Sequence, residues 1–453
     1  MQSNRDIDVK AFIDERPIST FQWLLVALCF LVVTADGVDV AIMGFLAPAI
    51  IQEWGISRPA FGLVMSAAPI GLVIGALVAG PSADRFGRRK VLIASVFLFG
   101  IFTILTAYTT SPASMALLRL LSGIGLGAAM PNTTTLLSEY APTRKRSLLI
   151  TVMFTGFNLG SALVGFAAAA LIPTHGWRTV LLLGGAFPLV LVPVLVWLLP
   201  ESARLLTVQG KSRPRIAALL NRVCGARFTG QENFVSNEPP MASRTPIGML
   251  FSQGFAKVTL ALWVTYFMGL MVIYLLTGWL PTLMKDAGLP ISTAANVTAM
   301  FQIGGTIGAI AVGWIMDRTR PAGVIGAAYL LGGVCVLAVG EAGAVSPMLA
   351  LLVFSAGFFM SGAQTGLNAF APSCYPTVAR ATGVSWMLGM GRFGSILGSA
   401  FGGALLGMGW GFGGILSMLA VPAALAAVAI VTTQWWNRAE RQQRLEAAPG
   451  TAD

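Results

Sequence analysis

The sequence is poor in charged residues and holds a single histidine. Charged residues make up 10% of its 453 residues, whereas soluble proteins carry about 25%. His175 falls in a predicted outside loop, which excludes a histidine proton relay within a membrane, and the four scattered cysteines show neither metal nor disulfide spacing. No G-x-x-x-x-G-K-[ST] loop and no nucleophile–base pair is visible. We therefore expect neither an ATPase nor another enzyme, and no metal or cofactor.

Apolar residues, by contrast, are abundant. Hydrophobic residues make up 56% of the chain, and its mean hydropathy is +0.77. About 20 consecutive apolar residues cross a bilayer as one helix, so the pattern predicts a polytopic membrane protein with twelve spans. The predicted spans are residues 21–47, 59–80, 90–110, 114–137, 148–171, 178–199, 256–280, 293–316, 322–341, 347–369, 382–406 and 412–436.

Basic residues concentrate on one side of the predicted membrane. When the N-terminus is placed in the cytoplasm, Arg58, Arg178 and Lys285 fall outside, Arg119 and Arg392 lie within spans, and the other Lys and Arg residues are cytoplasmic. This asymmetry follows the positive-inside rule and predicts that both termini are cytoplasmic. It also accounts for the net charge of +11, so nucleic acid is not an expected partner.

One long polar stretch interrupts the spans and divides the chain into two halves of six spans each. The segment GPSADR at 80–85 recurs as GWIMDR at 313–318, an offset of 233 residues. An even number of spans gives both halves the same orientation, so the halves form a parallel repeat with a site expected between them. The predicted domains are an N-terminal six-helix bundle (1–199), a cytoplasmic central loop (200–255) and a C-terminal six-helix bundle (256–453).

Two carboxylates, Asp36 and Asp39, lie inside the apolar run of the first span. An ionised Asp near the bilayer centre costs on the order of 3 kcal/mol, and residues three apart share one helical face. Such a pair can exchange protons or bind a cation from a cavity, although it can also simply hydrogen-bond to a neighbouring helix. Arg119 falls at a similar depth, either as a plain ion-pair partner or as part of a switch that protonation of an Asp would release.

Arg392 lies near the midplane of the eleventh span, and no acidic residue lies at that depth in the spans of the second half, because Glu341 is the last residue of its span. The planar guanidinium suits a carboxylate, so the sequence favours a substrate carboxylate over a structural partner. Polar and aromatic side chains at neighbouring levels could hold a ring, although such residues also glue helices together. The candidates for substrate binding besides Arg392 are Asn158, Tyr266, Gln302, Gln364, Asn368, Phe267, Tyr274 and Trp386.

Several motifs resemble those of a known family. The pattern GxxxDRxGRRK at 80–90 resembles the signature loop of the major facilitator superfamily, and PESAR at 200–204 is similar to another of its markers. Within that superfamily, DGVD at 36–39, YPTVARATG at 375–383 and GRFG at 391–394 resemble motifs of the aromatic acid:proton symporters. The resemblance implies an all-α membrane protein of twelve transmembrane helices in two six-helix bundles, acting as a monomer in the bilayer of a bacterial inner membrane.

The resemblance also implies a gate at the cytoplasmic helix ends, because in this superfamily the signature loop locks the outward-open state. The second copy of the loop ends without the glycine of the first, so the two gates need not be equivalent. The predicted gate residues are Asp84, Arg85, Arg88, Glu139, Asp317, Arg318 and Arg380.

The expected function is uptake of a small aromatic carboxylate of the hydroxybenzoate type, such as 4-hydroxybenzoate, protocatechuate or gallate, together with protons. Asp36, Asp39 and Arg119 are the predicted coupling residues. Desolvation and mutual repulsion of the two carboxylates would favour proton capture from the more acidic side. Efflux of drugs or organic anions by proton antiport remains an alternative on the same fold. A membrane sensor for aromatic acids is a second alternative, disfavoured by the lack of an output domain.

Overall fold

The computed structural model describes residues 6–235, 250–251, 255–344, 346–375 and 377–446, with the side chains of 147, 377–381 and 434–446 not described. The chain forms two compact units, Met1–Met43 with Ala67–Pro240 and Gly44–Ser66 with Met241–Asp453. The elements in chain order are β1 (Asp6–Asp8), α1 (Val9–Asp14), α2 (Thr20–Trp54), α3 (Arg58–Phe86), α4 (Arg88–Thr106), α5 (Pro112–Tyr140), α6 (Arg146–His175), α7 (Trp177–Leu198), α8 (Ala203–Val208), α9 (Arg213–Cys224), β2 (Asn233–Val235), α10 (Phe255–Asp286), α11 (Ile291–Met316), α12 (Pro321–Ala342), α13 (Leu349–Phe370), α14 (Thr377–Gly407) and α15 (Phe412–Glu446).

Long apolar helices make up most of both units. Within the described chain, eleven helices are long and apolar enough to cross a membrane. They coincide with eleven of the predicted spans, which extend beyond their helices by a few residues at most; the predicted span 90–110 extends furthest, because α4 ends at Thr106. The one remaining predicted span, 382–406, lies within α14, a helix of 31 residues. The structure thus has the all-α, twelve-helix architecture that the sequence predicts, although α2 runs on to Trp54, beyond the end of the predicted span.

Residues 44–66, which are the C-terminal part of α2, the connection that follows it and the N-terminal part of α3, belong to the second unit. Within that unit Gly44 packs against the backbone of Thr277, and Arg58 forms a bidentate pair with Asp286. The rest of α2 and α3 belongs to the first unit.

The same glycine contacts recur in both units. A Cβ at Gly160 would overlap the backbone carbonyl of Thr34, and a Cβ at Gly394 would overlap that of Phe267. These residues match at offsets of 234 and 233. Three further contacts between a glycine and a neighbouring backbone repeat in the same way. Each contact of the first unit is given with its equivalent in the second: Gly71–Leu120 and Gly304–Phe354, Gly75–Ile124 and Gly308–Phe358, Gly123–Ala68 and Gly357–Phe301. Close backbone approach at small residues is typical of membrane helix packing, and here it follows the internal repeat.

The N-terminal segment and the central loop carry short elements that the apolar spans did not predict. Strands β1 and β2 pair in parallel, Asp6 to Asn233, and Phe228 packs between Phe12 and Phe234 with ring centroids 4.9 and 5.3 Å away. The prediction of a plain polar loop at 200–255 was therefore incomplete. Helix α9 buries a face whose helical spacing is visible in the sequence: Ile216, Ala217, Leu220 and Val223.

Helix α1 docks onto the turn between α5 and α6. Asp14 accepts hydrogen bonds from the backbone N–H and the hydroxyl of Thr143 at 2.8 and 2.7 Å, and Lys10 donates to the carbonyl of Ala141 at 2.8 Å. Burial acts to raise the pKa of Asp14, but the Thr143 bonds and nearby Lys10 bring it below its ordinary value. These contacts tie the N-terminal segment to the first unit.

Candidate functional site

A buried ion pair joins α2 to α5 in the first unit. Arg119 donates from Nη1 to Asp39 Oδ1 at 3.0 Å and from Nη2 to Oδ2 at 2.9 Å. The same Nη2 also donates to the Asp39 backbone carbonyl at 2.9 Å, and both side chains are 1% exposed. Bidentate, charge-assisted geometry of this kind is stronger than a neutral hydrogen bond and fixes orientation. The structure thus selects Asp39 as the partner of Arg119.

Two hydroxyl groups complete the shell around the Asp39 carboxylate. Thr103 on α4 donates to Oδ1, and Ser122 on α5 donates to Oδ2 at 3.0 Å. Sequence reasoning missed both, although Ser122 lies one helical turn after Arg119 and therefore on the same face. Because buried polar groups are stable only when paired and hydrogen-bonded, this shell holds the Asp39 carboxyl group in place between three helices.

Asp36 lies one turn before Asp39 on α2 and is equally deep in the protein, with 2% of its surface exposed. The segment between the two carboxylates is held by α6, since the Ser161 hydroxyl donates to the Gly37 carbonyl at 2.9 Å and Phe157 packs on Gly37. The sequence predicted carboxylates that face a water-filled cavity. In this conformation both are buried instead, because the polar shell and helix packing cover them.

Arg392, on α14 of the second unit, presents the opposite situation. It is partly buried, and none of the ion pairs among the described residues includes it. Its neighbour Gly391 lies against the ring of Tyr266, so that a Cβ there would overlap the ring. The close packing of α14 on α10 therefore brings the guanidinium to Tyr266 without supplying a carboxylate.

A polar cluster surrounds Tyr266. The residue lies near Gln364, Asn368 and Arg392, and one turn after it on α10 a Cβ at Gly269 would overlap Gln364 Oε1 and the Tyr329 hydroxyl. The Tyr329 hydroxyl on α12 donates to Gln364 Oε1 at 2.6 Å. Tyr266 and Gln364 are 6% and 7% exposed, whereas Asn368 is exposed. The structure thus brings together four of the predicted binding residues and adds Tyr329, a lone phenol in an apolar span that the sequence analysis overlooked.

The other predicted binding residues are less closely tied to this cluster. Gln302 on α11 is buried at 4% exposure, and Phe267 and Tyr274 on α10 are half-buried. Trp386 stacks on Trp263 with ring centroids 5.9 Å apart, so one face of its indole is already occupied. Asn158 lies on α6 of the first unit and is half-buried.

The signature loop of the first unit forms one ion pair at the end of α5. Arg88 lies 3.1 Å from Glu139, with side chains 16% and 7% exposed. Asp84 and Arg85 are exposed; the Asp84 backbone carbonyl accepts a bond from Gln209, and Arg85 lies over the ring of Phe86. Arg88 and Glu139 are therefore together, whereas Asp84 and Arg85 lie on the surface.

The backbone conformation of Gly87 and its contact with Glu201 explain why the first signature loop has a glycine at this position. Its φ is +101°, a region that favours glycine, and a Cβ there would overlap the carboxylate of Glu201. Glu201 accepts the backbone N–H of Arg89 at 3.2 Å, which places a negative charge at the positive N-terminal end of α4. At the equivalent place in the second loop Arg320 has an ordinary φ of −84°, so no glycine is required.

The second signature loop is more open. Asp317 and Arg318 are exposed, and Arg318 donates to the Trp314 carbonyl at 3.1 Å while lying over its ring. Neither belongs to an ion pair among the residues that the structure describes. The side chain of Arg380, the remaining predicted gate residue, lies outside the described residues.

Comparison with known proteins agrees with this architecture. The chain is 56% identical over 443 residues to a gallate transporter of Pseudomonas putida, covering 98% of this chain and 97% of the relative. It is 52% identical to the 4-hydroxybenzoate transporter PcaK of Pseudomonas aeruginosa, over 94% of this chain and 95% of that one. Among solved structures, the xylose transporter XylE from E. coli matches with a TM-score of 0.70 at 19% identity, covering 91% of this chain and 98% of that one.

The same fold and family are indicated by the sequence itself, since residues 28–345 and 262–451 match the Major Facilitator Superfamily. The repeated helix packing, the signature loop with its Gly87–Glu201 contact and the full-length relatives all agree with that match. The chain is a multi-pass membrane protein, and it belongs to the Major Facilitator Superfamily.

Proposed function

We propose that this protein takes up a small aromatic carboxylate of the hydroxybenzoate type together with protons, by alternating access across a bacterial inner membrane. The observation that carries the proposal is Arg392, which is partly buried and lacks a carboxylate partner among the described residues. A buried guanidinium calls for an anion, and its fork matches a carboxylate. The names of the relatives, a gallate and a 4-hydroxybenzoate transporter, supply acids of this class.

The substrate anion binds Arg392, and its ring lies against the polar cluster around Tyr266. The carboxylate of the substrate only accepts hydrogen bonds and the guanidinium of Arg392 only donates them, so the two groups are complementary. Burial of the apolar ring edge adds to affinity without further specificity. Binding and charge neutralisation therefore occur in the second unit.

The residues that couple transport to protons, Asp36, Asp39 and Arg119, lie in the first unit. Asp39 has its acceptor positions filled by Arg119, Thr103 and Ser122, and Asp36 lies one turn earlier on the same helix. These two carboxylates and Arg119 are the coupling residues. A proton on either carboxyl group changes the balance of charge around Arg119, because a neutral carboxyl no longer compensates a buried cation. The α2–α4–α5 contact then rearranges, which links protonation to helix movement.

The test is uptake by the purified protein in proteoliposomes with an imposed pH gradient, acid outside. Labelled 4-hydroxybenzoate, protocatechuate and gallate are offered singly, and unlabelled acids and their methyl esters compete. We expect accumulation that collapses with a protonophore, and competition by the acids at least about tenfold better than by the esters, since charge-assisted bonds are lost in the ester. Equal competition by esters would contradict a role for the carboxylate, and export under the same gradient would contradict symport.

A further inference from the structure

Gln364 is a buried amide that the protein satisfies at one end only. It is 7% exposed, its Oε1 accepts the Tyr329 hydroxyl at 2.6 Å, and its Nε2 has no hydrogen-bond partner among the described residues. Buried polar groups are nearly always paired, and a buried donor without a partner destabilises the protein. Beside a candidate binding site, such a donor indicates a group on the ligand.

The Tyr329 hydroxyl donates to the oxygen end of the Gln364 amide and leaves the nitrogen end open. With Oε1 held by the phenol, the two hydrogens of Nε2 are the ones left for a ligand. The backbone of α10 approaches closely here: a Cβ at Gly269 would overlap both Gln364 Oε1 and the Tyr329 hydroxyl. The pair therefore fits against a glycine and has little room to reorient.

The groups near Gln364 Nε2 include both hydrogen-bond donors and acceptors, whereas a site for a carboxylate needs donors only. A carboxylate only accepts hydrogen bonds, and Arg392, which only donates, is sufficient for it. The hydroxyls of Tyr266 and Tyr329 and the amide of Gln364, which lie around Gly269 on α10, offer donors and acceptors together. Such a mixed set matches a group that both donates and accepts, which is a hydroxyl.

We propose that Tyr329 orients Gln364 so that its Nε2 donates a hydrogen bond to a ring hydroxyl of the substrate. Tyr329 is then a positioning residue, and Gln364 is the residue that discriminates hydroxylated benzoates from benzoate. This inference rests on the proposed function. A site built to bind a hydroxyl rejects the analogue that lacks it, because its own polar groups are left unpaired.

The experiment measures the ratio of dissociation constants for benzoate and for 2-, 3- and 4-hydroxybenzoate on the purified full-length protein. A ratio taken on one sample does not depend on the fraction of protein that is folded. For the wild type we expect the best hydroxylated acid to bind about tenfold or more tightly than benzoate. Gln364→Met, which keeps the volume, should bring the ratio close to one by weakening only the hydroxylated acid. Tyr329→Phe should lower the ratio about threefold or more.

The matched control is Tyr375→Phe, since Tyr375 is also buried in the second unit and bonds to Thr259 Oγ1 at 3.2 Å. Removing its hydroxyl should leave the ratio unchanged. An unchanged ratio in both Gln364→Met and Tyr329→Phe would overturn the inference, as would an equal loss of affinity for benzoate and hydroxybenzoates. A wild type that binds benzoate as well as its hydroxylated forms would overturn the inference alone. If it binds none of these acids, the proposed function falls and this inference falls with it.

Discussion

The two units repeat one helix packing but bury opposite kinds of side chain at equivalent positions. The glycine contacts repeat at an offset of 233 for α2 and α3 and 234 for α5 and α6, and Gly100 on α4 packs on Leu189 as Gly333, 233 residues later, packs on Ala423. These offsets align the polar shell of the first unit with apolar residues of the second. The positions of Asp39, Thr103, Arg119 and Ser122 correspond to Val272, Val336, Val353 and Ala356, all of them buried. At these positions the second unit therefore packs the equivalent helices through apolar side chains, without an ion pair.

The reverse holds for the polar cluster of the second unit. Tyr266 and Tyr329 align with Val33 and Val96, which are fully buried in the first unit, and Arg392 aligns with Asn158. Since Val33 and Val96 occupy the places of Tyr266 and Tyr329, and apolar residues occupy the places of the Asp39 shell, helix packing at these positions does not require polar side chains. This difference favours a division of tasks, with coupling in the first unit and recognition of the anion in the second.

The largest effect that we expect on stability is at the ion pair. Asp39→Val leaves Arg119 buried without its carboxylate, and breaking such a pair costs about 3–5 kcal/mol. The double variant Asp39→Val/Arg119→Val copies the second unit, and replacing a buried pair by apolar residues is often neutral. Thermal unfolding of the purified variants measures both. A double variant as unstable as the single one would show that the ion pair is itself required by the fold.

The next largest effect that we expect is a loss of substrate affinity when Arg392 is replaced. Arg392→Ala should weaken binding of 4-hydroxybenzoate about 100-fold or more, because a charge-assisted contact is removed from a partly buried site. Arg392→Lys should recover part of it, since the point charge remains but the fork is lost. Equilibrium binding measures the effect, with the exposed Arg320→Ala as control. Binding by Arg392→Ala within about threefold of wild type would remove Arg392 from the site.

The shared packing predicts equal and smaller effects at matched glycines. Gly160→Ala and Gly394→Ala each force a Cβ onto a backbone carbonyl, and overpacking of this kind costs about 1–3 kcal/mol. Gly389→Ala, on α14 with open space around its Cβ position, should be neutral or slightly stabilising because alanine favours helix. Thermal unfolding compares the three. If only one of the matched pair is sensitive, the repeat does not extend to the energetics of packing.

The smallest effect concerns the second bidentate pair of the molecule. Arg58 and Asp286 have the same fork geometry, at 2.9 and 2.7 Å, but their side chains are 40% and 32% exposed. Solvent screening limits exposed pairs to about 1 kcal/mol or less. Asp286→Asn should therefore change the unfolding temperature far less than Asp39→Val. A comparable loss would mean that geometry, and not burial, sets the strength of these pairs.

The sequence predicted the helices and the repeat because apolar runs and glycine motifs are regular. It also predicted that Arg119 could pair with an aspartate, since charges inside apolar spans are few and depth can be counted along a helix. Which aspartate was left open, because Asp36 and Asp39 differ by one turn only and the rotation of the helix decides between them. The structure selects Asp39.

Hydroxyl groups and aromatic rings were harder to assign. Thr103 and Ser122 lie in apolar spans where Ser and Thr are common, so no spacing distinguished them from residues that bond to their own helix. Tyr329 is the lone phenol of its span, and nothing in the spacing linked it to Gln364 on another helix. Trp386 was assigned to the substrate, but its ring stacks on Trp263, a contact between helices that periodicity along one helix cannot reveal. The amphipathic face of α9 was visible in the sequence and was overlooked because the surrounding stretch is polar.

The division of tasks between the units is tested most directly with the double variant Asp39→Val/Arg119→Val in proteoliposomes. Two rates are measured on the same vesicles: exchange of labelled for unlabelled 4-hydroxybenzoate without a gradient, and accumulation driven by an imposed pH gradient. We predict that exchange persists within a few-fold of wild type, since Arg392 is intact, while gradient-driven accumulation is lost. Accumulation at the wild-type level would contradict the account, and so would loss of substrate binding in a variant that remains folded.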